Sequence, residues 1–200
     1  MANFWAAQRE FEGQAMFIQT EATPNPATLK FLPGRVVLAA GTKDFRDETS
    51  ATQSPLASRL FDVDGVTGVF FGPDFISVSK GDAEWQHLKP AILGAIMEHY
   101  LSGEPVLDDG GEAETGGDEF YAPEDEETVT TIKELLDTRV RPAVAQDGGD
   151  IMFHGYKEGI VFLHMRGACA GCPSATATLQ HGIENLLKHF IPEIQEVRPV

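Results

Sequence analysis

Cys169 and Cys172, within Gly167-Ala168-Cys169-Ala170-Gly171-Cys172-Pro173-Ser174, are the only cysteines in the chain of 200 residues. Two thiols at C-x-x-C spacing lie close enough to share a metal or to close a disulfide. The spacing suits dithiol–disulfide exchange, half of a zinc site or half of an iron–sulfur site. The chemically silent reading, two small buried thiols that only pack, is opposed by the glycines and the helix start around the pair. Proline at a first helical position is pre-set for helix, so Pro173 places the pair on a tight loop at a helix N-terminus. That end carries partial positive charge and free N–H groups, which favour thiolates and anionic clusters. A cubane [4Fe–4S] cluster usually takes four cysteine thiolates. One chain supplies two, so a homodimer supplies four and leaves the cluster at a subunit interface.

The elements around the loop read in order as α-β-β-loop-α-β. Val129, Ile132, Leu136, Val140 and Ala143 mark one face of a helix, which Pro142 is expected to kink. Asp147-Gly148-Gly149-Asp150 ends it with a glycine suited to a left-handed cap. Ile151 to Tyr156 and Ile160 to Met165 read as a hairpin turning at Lys157-Glu158-Gly159. After the cysteines, Leu179, Ile183, Leu186, Leu187 and Phe190 stripe a second helix, and Ile194 to Val197 suit a last strand.

The first half of the chain reads as a separate small α/β unit with no evident chemistry. Strands are expected at Phe17 to Thr20, Thr28 to Phe31, Val66 to Phe71 and Phe75 to Ser79, with Arg35 to Ala39 also extended. Ser54 and Pro55 start a short helix. Trp85, Leu88, Ile92, Ile96 and Tyr100 form a helical stripe that reads as core, and His87 and His99 read as surface or packing residues. From Glu104 to Glu127 there are glycines and many acids but no basic residue, the composition of a solvated linker. Phe120 and Tyr121 are its exceptions and are expected to dock. The fold class is therefore α+β: two small α/β domains joined by an acidic flexible linker. The expected divisions are an N-terminal extension (1–15, with Met16 a second possible start), a first domain (16–103), a linker (104–124) and a cysteine-bearing domain (125–200).

A net charge of −16 argues against nucleic acid or an anionic membrane as partner. No apolar run reaches the length of a membrane span. Residues 1–15 lack the pattern of a signal peptide and make a poor transit peptide. Two cysteines give no disulfide framework, so a reducing cytoplasm is the expected location.

Asp147-Gly148-Gly149-Asp150-Ile151 followed by Gly167-Ala168-Cys169-Ala170-Gly171-Cys172-Pro173-Ser174 resembles the C-terminal domain of NifU, the Nfu-type iron–sulfur scaffold and carrier domain. Phe17 to Pro26, Leu29 to Gly34, Ser54 to Ala57 and Val69 to Gly72 resemble the N-terminal domain that accompanies it in many Nfu proteins. The resemblance implies that Cys169 and Cys172 are the cluster ligands. It implies a labile [4Fe–4S] cluster between two subunits, received from upstream assembly proteins and passed to apo iron–sulfur proteins. Such transfer needs no catalytic acid or base, so the chain is not expected to be an enzyme. Amides near Ala170 and Gly171 are expected to offset the cluster's charge.

Two rivals use the same thiols. A thiol–disulfide oxidoreductase is opposed by the absence of a βαβ pattern before the pair. A structural zinc protein would recruit His154 and His164 into a Cys₂His₂ set, although strand periodicity makes each an ordinary exposed or packed imidazole. His181 is expected to point away. Zinc also suits the two thiolates as an adventitious substitute.

Overall fold

The computed structural model describes residues 17–108, 119–170 and 173–200, with side chains in the last stretch from Thr176 onward. The expectations for residues 1–15, for the middle of the acidic linker and for the placement of Gly171 and Cys172 lie outside the described residues.

The first unit is a five-stranded antiparallel sheet in the order β1-β2-β5-β4-β3, from β1 (Gln19–Ala22), β2 (Thr28–Leu32), β3 (Lys43–Phe45), β4 (Val66–Phe71) and β5 (Ile76–Lys80). Side chains alternate across a strand. Leu29, Phe31, Val69, Phe71, Ile76 and Val78 therefore share one face, where they pack on α2 (Pro55–Phe61) and α3 (Trp85–Ser102). Lys30, Phe70 and Ser77 take the opposite face. The Ser54 hydroxyl caps α2 by accepting from the Ala57 amide, and it donates to the Val106 carbonyl. Leu88, Ile92 and Ile96 of the predicted α3 stripe are fully enclosed. His99 is enclosed as well, with neither ring nitrogen hydrogen-bonded, and burial lowers its pKa. It is a packing histidine.

Two features of this unit differ from the sequence reading. Arg35 to Ala39 forms bends rather than a strand. The Pro73 carbonyl accepts from both the Val37 and Leu38 amides, and this curl turns both side chains into the core. The short elements β3 and α1 (Glu48–Ala51) were not anticipated.

The second unit runs α4 (Glu126–Leu135), α5 (Arg141–Gln146), β6 (Gly149–Lys157), β7 (Ile160–Gly167), α6 (Pro173–Phe190) and β8 (Glu196–Pro199). β6 and β7 are antiparallel, and β8 joins β7 in parallel. The predicted α-β-β-α-β order stands, with its first helix divided. A π turn over Leu136–Val140 precedes Pro142, which has no N–H to continue the α ladder. The wider turn advances the apolar stripe by one residue, so Val144 enters the core and Ala143 faces solvent. The hairpin turns at Glu158 (φ 50°) and Gly159 (φ 80°). Two consecutive positive φ angles make the type I′ turn whose twist matches the strands.

Phe120 docks, as its aromatic character suggested. Its amide donates to the His154 carbonyl and its own carbonyl accepts from the Tyr156 amide. This bridge lies beside a bulge in β6 between Phe153 and Gly155, where the Phe120 ring fills the space a β-carbon at Gly155 would need. Among the described residues no helix is long and apolar enough to cross a membrane.

Candidate functional site

Cys169 sits in a compact turn between the end of β7 and the start of α6. Gly167 has φ +60°, a conformation that L side chains rarely adopt. From there the chain folds back: the Cys169 amide donates to the Arg166 carbonyl and the Ala170 amide to the Gly167 carbonyl. The Thr176 hydroxyl, on the first turns of α6, donates to the Cys169 carbonyl. The Ala170 amide is thus committed within the turn in this conformation, rather than aimed at a sulfur.

The second wall is the turn from α5 into β6. Gly148, at φ +80°, supplies the predicted left-handed cap. Its carbonyl accepts from the Ala168 amide, which ties the two turns together. Gly149 leaves the space that the thiol occupies: a β-carbon there would lie 2.5 Å from Cys169 Sγ. Asp150 is buried and accepts from Arg141 Nε and Nη2, from Thr42 and from the Ile151 amide. Asp150 holds Arg141 protonated well above its ordinary range.

Cys169 is only 6% exposed and packs in the core of the second unit. Burial, reinforced by Asp147 and Asp150, pushes its thiol up to about 12. The helix N-terminus was expected to favour a thiolate, but here desolvation outweighs it.

The first unit covers this region. Ser77 donates to the Gly148 carbonyl at 2.6 Å, Asn25 to the Ala170 carbonyl at 3.1 Å, Lys30 to the Gln146 carbonyl at 3.0 Å and Thr42 to Asp150 Oδ2 at 2.9 Å. The Phe70 ring lies where a β-carbon on Gly167 would go, 2.8 Å from that point. A cleft of about 460 Å³ remains between the units, with Cys169, Ala170, Phe70 and Arg46 among its walls. None of Asn25, Lys30, Thr42 or Ser77 stood out as a site residue in the sequence. The alternation of Phe75 to Ser79 was the one available signal, because it put Ser77 on the face away from the core.

The histidines of the zinc reading do not reach Cys169. His164 falls between Leu163 and Met165, which face the core with Cys169, so strand alternation sends its ring to the other face. There it packs against His154, ring centroids 4.3 Å apart, with Phe120 edge-on to His154. His181 is exposed. Among the described residues no group of three His, Cys, Asp or Glu side chains is placed to hold a metal ion. Gly149 leaves room for the Cys169 thiol and Gly167 for the Phe70 ring, and the turn leads into an 18-residue helix.

Family comparisons agree with this layout. A model described as scaffold protein Nfu/NifU N terminal matches residues 18–103, and one described as NifU-like domain matches 132–198. The chain is 48% identical over 198 residues to NifU-like protein 4, mitochondrial, of Arabidopsis thaliana, covering 98% of this chain and 68% of that one. The chain belongs to the Nfu family. It is also 52% identical over 189 residues to the Drosophila sechellia protein named NFU1 iron-sulfur cluster scaffold homolog, mitochondrial, covering 94% of this Nfu chain. It spans about two thirds (66%) of that relative's length. Among solved structures, a NifU-like protein from Saccharomyces cerevisiae is 28% identical with a TM-score of 0.45, over 50% of this chain and 91% of that one. The expected cytoplasmic location is overturned, because these relatives are named as mitochondrial. Sparse cysteine content reports only that no disulfide framework exists, and that does not distinguish one compartment from another.

Proposed function

We propose that this chain is an iron–sulfur cluster scaffold and carrier, not an enzyme, whose cargo is a labile [4Fe–4S] cluster held between two copies by Cys169 and Cys172 of each. Upstream assembly proteins supply the cluster and apo iron–sulfur proteins receive it, in the mitochondrion by analogy with the named relatives. The observation that carries the reading is the Cys169 turn, set between glycines at the start of α6 in a member of this family. Two thiolates per chain leave the cluster shared and exchangeable. An acceptor's thiolates can then displace these ligands one at a time, and that exchange requires no acid or base. Residues 16–103 and 125–200 are the two modules of this scheme, an accompanying unit and the cluster-bearing unit.

Anaerobic reconstitution with iron and sulfide tests it. Four irons and four sulfides per two chains, with a dimeric mass by light scattering and a cubane Mössbauer signature, is the expected result. Cys169→Ser or Cys172→Ser abolishes binding while leaving both units folded. One tight zinc per chain without any cluster, or a rapidly cycling Cys169–Cys172 disulfide, overturns the assignment.

A further inference from the structure

We propose that the first unit is an intramolecular cap on the cysteine turn, and that its docking competes with the pairing of two chains around a cluster. The proposal rests on the cluster-carrier reading and adds a regulatory step to it. The docked contact is built from both sides. Eight polar or charged residues are buried among the described residues, and five of them bond across the gap: Asn25, Lys30, Thr42 and Ser77 from the first unit, Asp150 from the second. A sheet face that carries Lys30 and Ser77 would be solvated if the first unit stood alone. Here both residues are buried, because the face lies on the second unit.

The partners chosen on the second unit are specific to the cysteine turn. Gln146, Gly148 and Ala170 accept through backbone carbonyls on the two turns that flank Cys169, and Asp150 accepts through its side chain. Gly148 and Gly167 permit the approach: a β-carbon on the first would meet Ser77 Oγ at 2.7 Å, and one on the second would meet the Phe70 ring at 2.8 Å. Phe70 and Phe75 are enclosed yet belong to neither apolar core. The second unit, through its cysteine turn, is what covers Phe70.

A cluster shared by two chains needs the cysteines of each turn to face the other copy. In the docked form the first unit is hydrogen-bonded to both turns that flank Cys169 and holds its Phe70 ring against Gly167, leaving a cleft between the units beside the thiol. The two arrangements therefore exclude one another, and loading or release passes through an undocked state. The contact is mainly hydrogen bonds to backbone carbonyls, the polar kind of interface that domains form reversibly.

The test uses the full chain in two variants. Ser77→Arg places bulk and charge on the outer sheet face, away from the first unit's core. The triple variant Asn25→Ala, Thr42→Ala, Ser77→Ala removes donors without adding bulk. Hydroxyl-radical footprinting at Phe70 and amide exchange at Gly148–Ile151 and Ala168–Ala170 read docking, and β4–β5 amides report that the fold is kept. Without cluster, the wild-type chain is expected to protect Phe70 and both variants to expose it. Cluster uptake should rise by about five-fold or more in the variants, the factor set by losing roughly one net hydrogen bond. Cluster-loaded wild type should expose Phe70. Opened variants with wild-type uptake rates, or a loaded dimer that still protects Phe70, overturn the cap. Failure of wild type and both variants alike to take up any cluster overturns the carrier reading and the competition with it. That outcome is told apart because docking of the cluster-free chain is still read at Phe70.

Discussion

Arg141 grips Asp150 with two parallel bonds, Nε to Oδ1 at 2.8 Å and Nη2 to Oδ2 at 2.9 Å. The pair joins the start of α5 to the start of β6, one residue after Gly149. Asp150 is 4% exposed, and these partners meet its carboxylate oxygens inside the protein.

Asp150→Ala leaves the Arg141 guanidinium facing a half-buried void and removes the acceptor for Thr42. Breaking such a pair from one side costs about 3 kcal/mol. We expect that loss in the stability of the β6–β7 hairpin, measured by native-state amide exchange. Amides of β4 and β5 should change far less.

Gly149→Ala is expected to be disruptive. Its β-carbon would lie 2.5 Å from Cys169 Sγ, 2.7 Å from the Arg166 carbonyl oxygen and 3.0 Å from the Cys169 nitrogen. Two of these neighbours are backbone, so the strand itself must shift. Overpacking of this sort costs about 1–3 kcal/mol. Gly182→Ala on α6 is the matched control, since nothing lies within 4 Å of its added carbon. Alanine favours a helix interior over glycine by about 1 kcal/mol. Thermal unfolding should therefore move down for the first substitution and up for the second.

The thiol of Cys169 gives the cluster-free protein a signature in alkaline solution. Its folded pKa is raised to about 12 by burial, against an ordinary value of 9.0. Below pH 9 both folded and unfolded chains keep this proton, and the stabilising contribution is fully present. Between 9 and 12 only the unfolded chain loses it, so stability falls as pH rises. The slope is at most about 1.4 kcal/mol per pH unit. Urea unfolding at pH 8 and pH 10.5, in wild type and in Cys169→Ala, should show a larger alkaline loss in wild type. Groups common to both chains cancel in that difference.

The second unit was readable because its signals are local. Gly148 after a helical stripe, Glu158-Gly159 between alternating runs and Pro173 before a stripe each fix a turn through their own backbone preference. The π turn was not readable, because its effect is a one-residue slip that exchanges Ala143 for Val144. The three-residue β3 is held by pairing with β4 rather than by its own pattern. At the candidate site, the C-x-x-C spacing singles out Cys169 and Cys172 in the sequence, and of the two only Cys169 lies among the described residues. The surroundings of Cys169 stayed hidden for a physical reason. Ser77, Lys30 and Thr42 look solvent-facing to any rule that reads one strand at a time, and only the approach of the other unit makes them interior.

The hook at Phe120 bears on how pulling forces enter the molecule. The chain arriving from the first unit meets the second at the middle of β6, through paired bonds on either side of Gly155. The bridge runs parallel to β6, so tension along the tether would load both bonds in shear, the stiff direction of a β ladder. The pull is transmitted to the hairpin whose far end carries the cysteine turn, and α4, which begins six residues later at Glu126, is spared.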